Sequence, residues 1–540
     1  MDRRKFLKIM AGGVVAASGA AACLTACSRQ SQKPPRLVLL YAPCTVNKNC
    51  LSPFNEEVGY TPHIRDFAAR AAVFHNCQTE SGQTGIAYAG LFSGCQADRH
   101  GIFNHPDRLD DSVYQIFEAF AENGYDVFFW GGHAMADFQL NYGQGTHPDQ
   151  AFDYPLFASD IKFLNVLKRL ESDPAYRVLI VTGFTVTHFP YYPVLPPYPT
   201  HLPSPDIPVR KKFYDIKKIP DTSGQLRISA RDFKKYYQVY LRHYLNLMYD
   251  LDNTVEGLGF SAKEKKDLIA VIEYTYKVNI ARLDRLFGDI VNRIKQHNLF
   301  NDSLIVFTAD HGETLYRKNA MFHFTHGGVL DPEVIPIPLL ISAPGAGVKP
   351  GHHQEVMSSI DIFPTLAGLC GLELSEKPDG LDFSREIRSG SPLPQQPVYS
   401  HTALLASFVE VFDFRTIALG TIMGSPDRTP FVHKLRKLYP EDNPEMMWVA
   451  VRHGSRVYKI IKRDINNPRF EPAVFDLSVD PLEERNIFDR TDQEHVNILA
   501  ELKAYKDKLI RACNKKTSET DPDSPDHREK LRRLRSLGYL

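Results

Sequence analysis

The chain lacks net charge: its 540 residues carry 64 Lys and Arg against 64 Asp and Glu. Balanced charge offers no electrostatic footprint for a phosphate backbone, which argues against a general nucleic-acid binder. Long apolar runs are absent beyond residue 22, so nothing in the body of the chain has the length and apolarity to span a bilayer. No internal repeat is evident. Cysteine is sparse, with eight residues and no C-x-x-C pair, which removes a zinc knuckle from consideration. Cys44, Cys50, Cys77 and Cys95 are clustered in sequence, while Cys370 and Cys513 stand apart. In an oxidising compartment some could pair; buried free thiols fit equally well. A chain of this length buries a large core and usually forms more than one domain.

The N-terminus is where apolarity concentrates. Arg3-Arg4-Lys5 precedes a Gly- and Ala-rich apolar run over 9–22. The twin arginine resembles a Tat export signal. Leu24-Thr25-Ala26-Cys27 resembles a bacterial lipobox, with Cys27 as the lipidated first residue of the mature chain. Ser28 follows, and no acidic residue marks inner-membrane retention. The expectation is a lipid-anchored protein on the periplasmic side of a bacterial membrane, the outer one by this reading. Residues 1–27 are then the signal peptide and 28–35 a polar tether.

The most chemically informative stretch is Thr308-Ala309-Asp310-His311-Gly312-Glu313, followed by His326-Gly327-Gly328. Residues 304–308 are apolar and β-branched and read as a buried parallel strand. Open α/β sheets place ligands at the C-terminal ends of such strands. Asp oxygen and His nitrogen at that position suit a divalent metal. Further strands are expected at 36–41, 127–130, 178–182 and 337–342, with helices at 61–72, 113–121 and 268–297. Thr61 reads as an N-cap, with Pro62 in the first turn. Helix and strand alternate, which predicts an α/β fold: a mostly parallel central sheet sandwiched by helices.

Residues 190–208 break this pattern with eight prolines. A basic, aromatic amphipathic helix is expected over 229–250. The segment 190–265 reads either as an insertion over the ligand edge of the sheet or as an exposed decoration. The main domain spans 36–390. Short strands at 449–452, 457–461 and 473–477 predict a small antiparallel-sheet subdomain over 391–513. Residues 514–540 form a charged tail.

In this order, the segments resemble the sulfatase / alkaline phosphatase superfamily over nearly the whole mature chain. The resemblance rests on SGQTGIAYAGLFSG, QADRHGIF, LFNDSLIVFTADHGE, HGGVLDPEVIPIPLLISAPG and SSIDIFPTLAGLCGL, with FDLSVDPLEERNI and the terminal LRSLGYL behind them. In that family a Cys, Ser or Thr nucleophile lies ten residues before a Gly, here Gly94, which implies Thr84. A helix over 85–92 would present its positive N-terminal end to an anion. A plain helix cap is the bland alternative for Thr84, and Ser81 is a second candidate hydroxyl. The resemblance also implies substrate-binding roles for His188, in Thr187-His188-Phe189-Pro190, and for His326. Both are catalytic candidates beside Thr84, and His326 is a metal candidate as well. His323 could support His326. Asp284 and Asp361 match recurrent positions with structural roles. Arg99 and His100 follow the nucleophile segment and are weaker candidates.

Three departures qualify the likeness. No C-x-P-x-R or S-x-P-x-R motif occurs, so formylglycine chemistry is not expected. The first strand ends Tyr41-Ala42-Pro43-Cys44-Thr45-Val46-Asn47, without the usual acidic metal ligands. Asp310, His311, Thr84 and His326 then form the expected metal set. Asn47, Cys44 or Glu80 could replace the missing carboxylate, and spacing does not choose among them. The family's Lys is replaced around Gly132 and His133.

These features imply a hydrolase or transferase of phosphate, phosphonate or sulfate esters. It would use a divalent ion (Mn, Zn, Ca or Mg), and Thr-nucleophile relatives favour phosphorus chemistry. The ester substrate could be an envelope lipid headgroup or glycan. The missing acidic ligands motivate the other reading, a catalytically degenerate, lipid-anchored binding protein on the same fold.

Overall fold

The structure is a computed structural model that describes residues 33–104, 107–130, 136–150, 156–191, 228–318, 320, 322–327, 330–402, 447–461 and 472–519. The expected signal and lipidation site, residues 192–227 of the insertion, Gly132, His133, Gly328 and the terminal LRSLGYL lie outside these residues. Among the described residues, no helix is long and apolar enough to cross a membrane.

Seven strands build the large sheet: β1 (Leu37–Tyr41), β2 (Ala72–Gln78), β3 (Asp126–Phe129), β4 (Val178–Thr182), β5 (Ser303–Phe307), β6 (Pro336–Ser342) and β7 (Gly351–Ser358). Their order is β3-β4-β1-β5-β6-β2-β7. Central β1 pairs in parallel with β4 and β5, with Leu37 opposite both Val178 and Ser303. Every residue of β1, β4 and β5 is buried. A sheet covered on both faces needs no polar side, which explains the unbroken apolar runs of these strands. Only β6 runs against its neighbours β5 and β2. The fold is therefore α/β with a mostly parallel central sheet flanked by helices.

A second, antiparallel sheet contains β8 (Val398–His401), β9 (Trp448–His453), β10 (Arg456–Ile461) and β11 (Ala473–Asp476), in the order β11-β10-β9-β8. The helix Gln493–Glu519 packs Leu502 and Leu509 against Val449 and Tyr458 of this sheet. That helix continues past residue 513, where the charged tail was expected to begin.

Several element boundaries differ from expectation for tertiary reasons. Helix α1 is Pro62–Ala68 and stops short of residue 72, because Ala72 already pairs with Ile341 and Gly351 in the sheet. Thr61 makes no cap hydrogen bond with its side chain. Instead, Asp284 on the long helix Ala262–Gln296 accepts from the N–H groups of His63 and Ile64, at 3.2 and 2.7 Å. The cap comes from a residue more than 200 positions away, which local sequence cannot reveal. The long helix starts before 268 because Ser261 and Glu264 form a capping box.

The described part of the insertion is not a loose decoration. The helix Ala230–Gly257 buries Tyr240, Tyr244, Leu247 and Met248. The Tyr240 hydroxyl accepts from Tyr191 N at 2.8 Å, and Met248 O accepts from His323 N at 2.9 Å. Both tethered backbones belong to the segments that carry His188 and His326. Cys44, Cys50, Cys77, Cys95, Cys370 and Cys513 are all free and buried.

One buried carboxylate ties the two sheets together. Glu80 accepts from Ala97 N at 2.6 Å and from His100 Nε2 at 2.9 Å, and its Oε1 lies 3.6 Å from His401 Nε2. Its own carbonyl accepts from His401 N at 2.8 Å. The His100 Nδ1 faces the N–H of Ile102, so the ring proton sits on Nε2 and is donated to Glu80. Gly90 is required beside this carboxylate, since a Cβ there would lie 2.5 Å from Glu80 Oε2. Burial alone would raise the Glu80 carboxyl, but its interactions with His100, then His401, outweigh it and hold it at about 2. A folded-state value below the ordinary carboxylate value stabilises the fold above about pH 4.5, and that contribution fades as pH falls toward 2. Glu80→Ala should cost roughly 3–5 kcal/mol, read from urea midpoints at pH 7. The gap between wild type and Glu80→Gln should narrow as the same measurement moves from pH 5 to about pH 2.

Candidate active site

The ends of β1 and β5 meet above the sheet. Asp310 follows β5, and its Oδ1 accepts from Thr45 N at 3.0 Å and from His311 N at 2.7 Å. Its Oδ2 is buried and makes no hydrogen bond among the described residues. The His311 Nδ1 faces the Gly312 carbonyl at 2.9 Å. A carbonyl only accepts, so the proton sits on Nδ1 and Nε2 presents its lone pair. That Nε2 lies 3.4 Å from Asp310 Oδ2 and 3.2 Å from Thr84 Oγ1. Cys44, in the loop after β1, brings its Sγ to 3.6 Å from Thr84 Oγ1.

Thr84 is the first residue of helix α2 (Thr84–Ser93), whose N-cap is Gln83. The cap reading of Thr84 therefore does not describe it: its hydroxyl turns to His311 and Cys44. Ser81 is buried nearby and accepts weakly from Gln83 N at 3.4 Å.

The loop after β1 carries backbone strain. Thr45 has φ of 56°, a left-handed conformation that β-branched residues rarely adopt. Four bonds hold it: Thr45 N to Asp310, Thr45 Oγ1 to Cys44 O at 2.8 Å, Val46 N to His311 O at 2.9 Å, and the Tyr276 hydroxyl to Thr45 O at 2.7 Å. Such conformations cost on the order of 1–3 kcal/mol and persist where the surroundings over-determine them. The result here is a Cys44 thiol pointed at Asp310 and Thr84.

The donors here fit the divalent metal that the resemblance implies. Cys44, Asp310 and His311 each offer one ligand atom, all within 4.8 Å of one another and all buried. Thiol sulfur, carboxylate oxygen and imidazole nitrogen form a donor set that a borderline divalent ion such as zinc accepts. The pocket also holds surplus buried acid. Burial first, then the charges of Asp310 and Glu333, push Glu313 well above the ordinary carboxylate range. Burial, then Asp310, push the Cys44 thiol up as well. An unsatisfied Asp310 Oδ2 amid this surplus fits a cation.

The remaining expected residues divide into two groups. His326 is brought in: its ring centroid lies 4.4 Å from that of His311, and Glu313 Oε2 lies 3.2 Å from its Nδ1. His188 follows, its ring 4.9 Å from that of His326, with its Nδ1 facing Phe189 O at 2.6 Å. Three imidazoles thus form a row leading outward from Thr84. The other group is spent elsewhere. Asn47 donates to Glu313 O at 2.9 Å and to Glu333 Oε1 at 3.2 Å, and its oxygen caps Asn49. Glu80 is bound to His100 and Ala97, so of the three proposed stand-ins for the missing carboxylate, Cys44 is the one beside Asp310. Arg99 pairs with Asp379 at 2.7 Å. His323 lies against Tyr316, with ring centroids 5.1 Å apart. Asp361 accepts from Ser358 N and Leu381 N, both at 2.8 Å, and holds loops together.

Two contributors escaped the sequence reading. Glu313 stands in the quoted Asp-His-Gly-Glu run, and its carboxylate position behind His326 was the available signal. Tyr276 sits on the long helix and gives no local signal. Gly312 is also demanded by geometry, since a Cβ there would lie 2.1 Å from Glu333 O.

The family model described as Sulfatase matches residues 48–372. The choline-sulfatase of Rhizobium meliloti is 34% identical over 366 residues, covering 59% of this chain and 64% of that one. The ulvan-active sulfatase of Formosa agariphila is 22% identical over 348 residues, covering 62% and 61%. The chain thus spans less than two thirds of the length of these relatives. Among solved structures, the phosphonate monoester hydrolase of Agrobacterium radiobacter superposes with a TM-score of 0.55 at 18% identity, covering 89% of this chain and 96% of that one. A protein solved with its substrate D-glucosamine-2-N,6-O-disulfate gives 0.57 at 15% identity, covering 92% and 99%. The structural likenesses show the fold. The family match, which extends over more than half of the 540 residues, shows the lineage: this chain belongs to the sulfatase family.

Proposed function

We propose that the chain is a metal-dependent hydrolase of phosphate, phosphonate or sulfate esters, with Thr84 as nucleophile. The observation that carries this reading is the position of Thr84 Oγ1: at a helix N-terminus, 3.2 Å from His311 Nε2 and 3.6 Å from Cys44 Sγ. Asp310, His311 and Cys44 would hold the ion, with Thr84 beside it. Bound there, a divalent ion would lower the hydroxyl pKa and offset charge on the ester.

The chain's own residues then have defined parts. The Thr84 oxygen attacks phosphorus or sulfur and forms a new ester bond, while the bond to the leaving alcohol oxygen breaks and that oxygen takes up a proton. Water cleaves the Thr84 ester, which returns the hydroxyl and releases phosphate, the phosphonic acid or sulfate according to the substrate. His326, oriented by Glu313, and His188 beyond it line the approach and would hold non-bridging oxygens. The N-terminus of α2 adds its dipole to that anion subsite. Without a formylglycine motif, Thr84 has no geminal diol through which to expel sulfate. Phosphorus esters are therefore favoured over sulfate in this reading. The aromatic helix Ala230–Gly257, tied to the segments bearing His188 and His326, supports a bulky substrate such as an envelope lipid headgroup or glycan. Arg3-Arg4 and Cys27 support a periplasmic, lipid-anchored location, tested by mass spectrometry of the membrane-extracted N-terminus for a diacylated Cys27.

Elemental mass spectrometry of the mature chain should find a stoichiometric divalent ion, lost in Asp310→Ala. Cys44→Ala should weaken its retention by at least the roughly 10- to 100-fold that follows from losing an outer partner. No ion in wild type, after incubation with Mn, Zn, Mg and Ca, would support the inert scaffold instead. With aryl phosphate, phosphonate and sulfate monoesters as probes, phosphorus esters should turn over fastest. Thr84→Ala should lower kcat on the order of 10³-fold or more while keeping its ion. Turnover unchanged in that variant would overturn the assigned nucleophile.

A further inference from the structure

A cavity of about 570 Å³ opens between the large sheet and the second sheet, well inside the size range of small-molecule sites. None of Cys44, Thr84, Asp310 and His311 lines it. Its ionisable lining consists of Lys48, Arg452 and Glu333. Glu333 is already engaged, accepting from Arg317 Nε at 3.1 Å. The two cations are not matched in this way: among the described residues neither Lys48 nor Arg452 has a carboxylate within salt-bridge distance.

Both are instead fixed to consecutive residues of β2. Lys48 Nζ donates to His75 O at 2.7 Å, and Arg452 Nη2 donates to Asn76 Oδ1 at 2.9 Å. A further bond runs from Arg452 Nε to Gly454 O at 2.9 Å. Arg452 is only 6% exposed. A buried guanidinium and a neighbouring ammonium held by neutral acceptors are costly without a counter-charge. Burial, then the charge of Arg452, lower Lys48 to about 8, and burial lowers Arg452 to about 10 against the charge of Glu483, a carboxylate already paired with Lys459. Beside them, Gln354, Gln395 and Ser455 supply amide and hydroxyl groups. Amides and hydroxyls match the donors and acceptors of a polyol, and a guanidinium fork matches an oxyanion.

We propose that this cleft is a second binding site, separate from the Thr84 centre, for an oxyanion carried on a small polyhydroxylated body: a sulfated or carboxylated sugar. The proposal does not depend on the hydrolase reading.

Calorimetric titration of the full chain with glucose 6-sulfate, glucuronate, inorganic sulfate and glucose tests it. The two acidic sugars should bind, inorganic sulfate should bind more weakly, and glucose should not bind. Lys48→Gln and Arg452→Gln should each weaken the acidic sugars by roughly tenfold or more, and Thr84→Ala should leave them unchanged. If Arg452→Gln fails to fold, Arg452→Lys keeps the charge but loses the fork, and it should weaken binding alongside Lys48→Gln. Affinity lost in Thr84→Ala but kept in the cleft variants would move the anion to the catalytic centre and overturn the proposal. Sulfate binding as tightly as its sugar ester would overturn the polyol part. No binding by any acidic probe would overturn it entirely.

Discussion

The divided loyalty of the Asp310 carboxylate organises this molecule. One oxygen accepts two backbone N–H groups, from Thr45 after β1 and His311 after β5. Those bonds lock two strand ends into one platform. The other oxygen is buried beside His311 Nε2 with no hydrogen bond among the described residues. A buried carboxylate oxygen left in this state is expensive unless something positive completes it. Strand pairing, loop strain and the placement of α2 converge on that point. Thr45 in its left-handed conformation aims Cys44 inward, and α2 begins with the hydroxyl that faces the same space.

The surrounding acids act together. After burial itself, the charges of Asp310 and Glu333 raise Glu313, and the charge of Asp331 raises Glu333. Asn47 bridges them, donating to the Glu313 carbonyl and to the Glu333 carboxylate. Glu313 in turn steadies His326. The charge of Asp310 acts on Glu313, and Glu313 is hydrogen-bonded to His326 in the outer row of imidazoles. Cys44, Asp310 and His311 together offer a softer donor set than oxygen ligands alone, one better matched to zinc-like ions than to calcium.

The second sheet is fixed to the first through buried polar contacts as well as apolar packing. Glu80 meets His401 on one side, and Asn76 meets Arg452 on another. Buried polar bonds of this kind specify register and orientation, because any other docking would leave them unpaired. They also leave the cleft with two cations and little opposing charge.

Sequence alone determined the elements whose cause is local or periodic. The apolar runs of β1, β4 and β5 and the strand-end pair Asp310-His311 were legible, since burial on both faces leaves its mark on neighbouring residues. The order of family segments singled out Thr84, His188 and His326. Tertiary structure alone decided the rest. It chose Cys44 over Asn47 and Glu80 as the neighbour of Asp310, because that choice depends on a strained backbone angle at Thr45. It capped α1 with Asp284 rather than Thr61, and recruited Tyr276 to hold the β1 loop. It also set Arg452 beside Lys48. These pairings join residues hundreds of positions apart, and only closure of the sheet brings them within bonding distance.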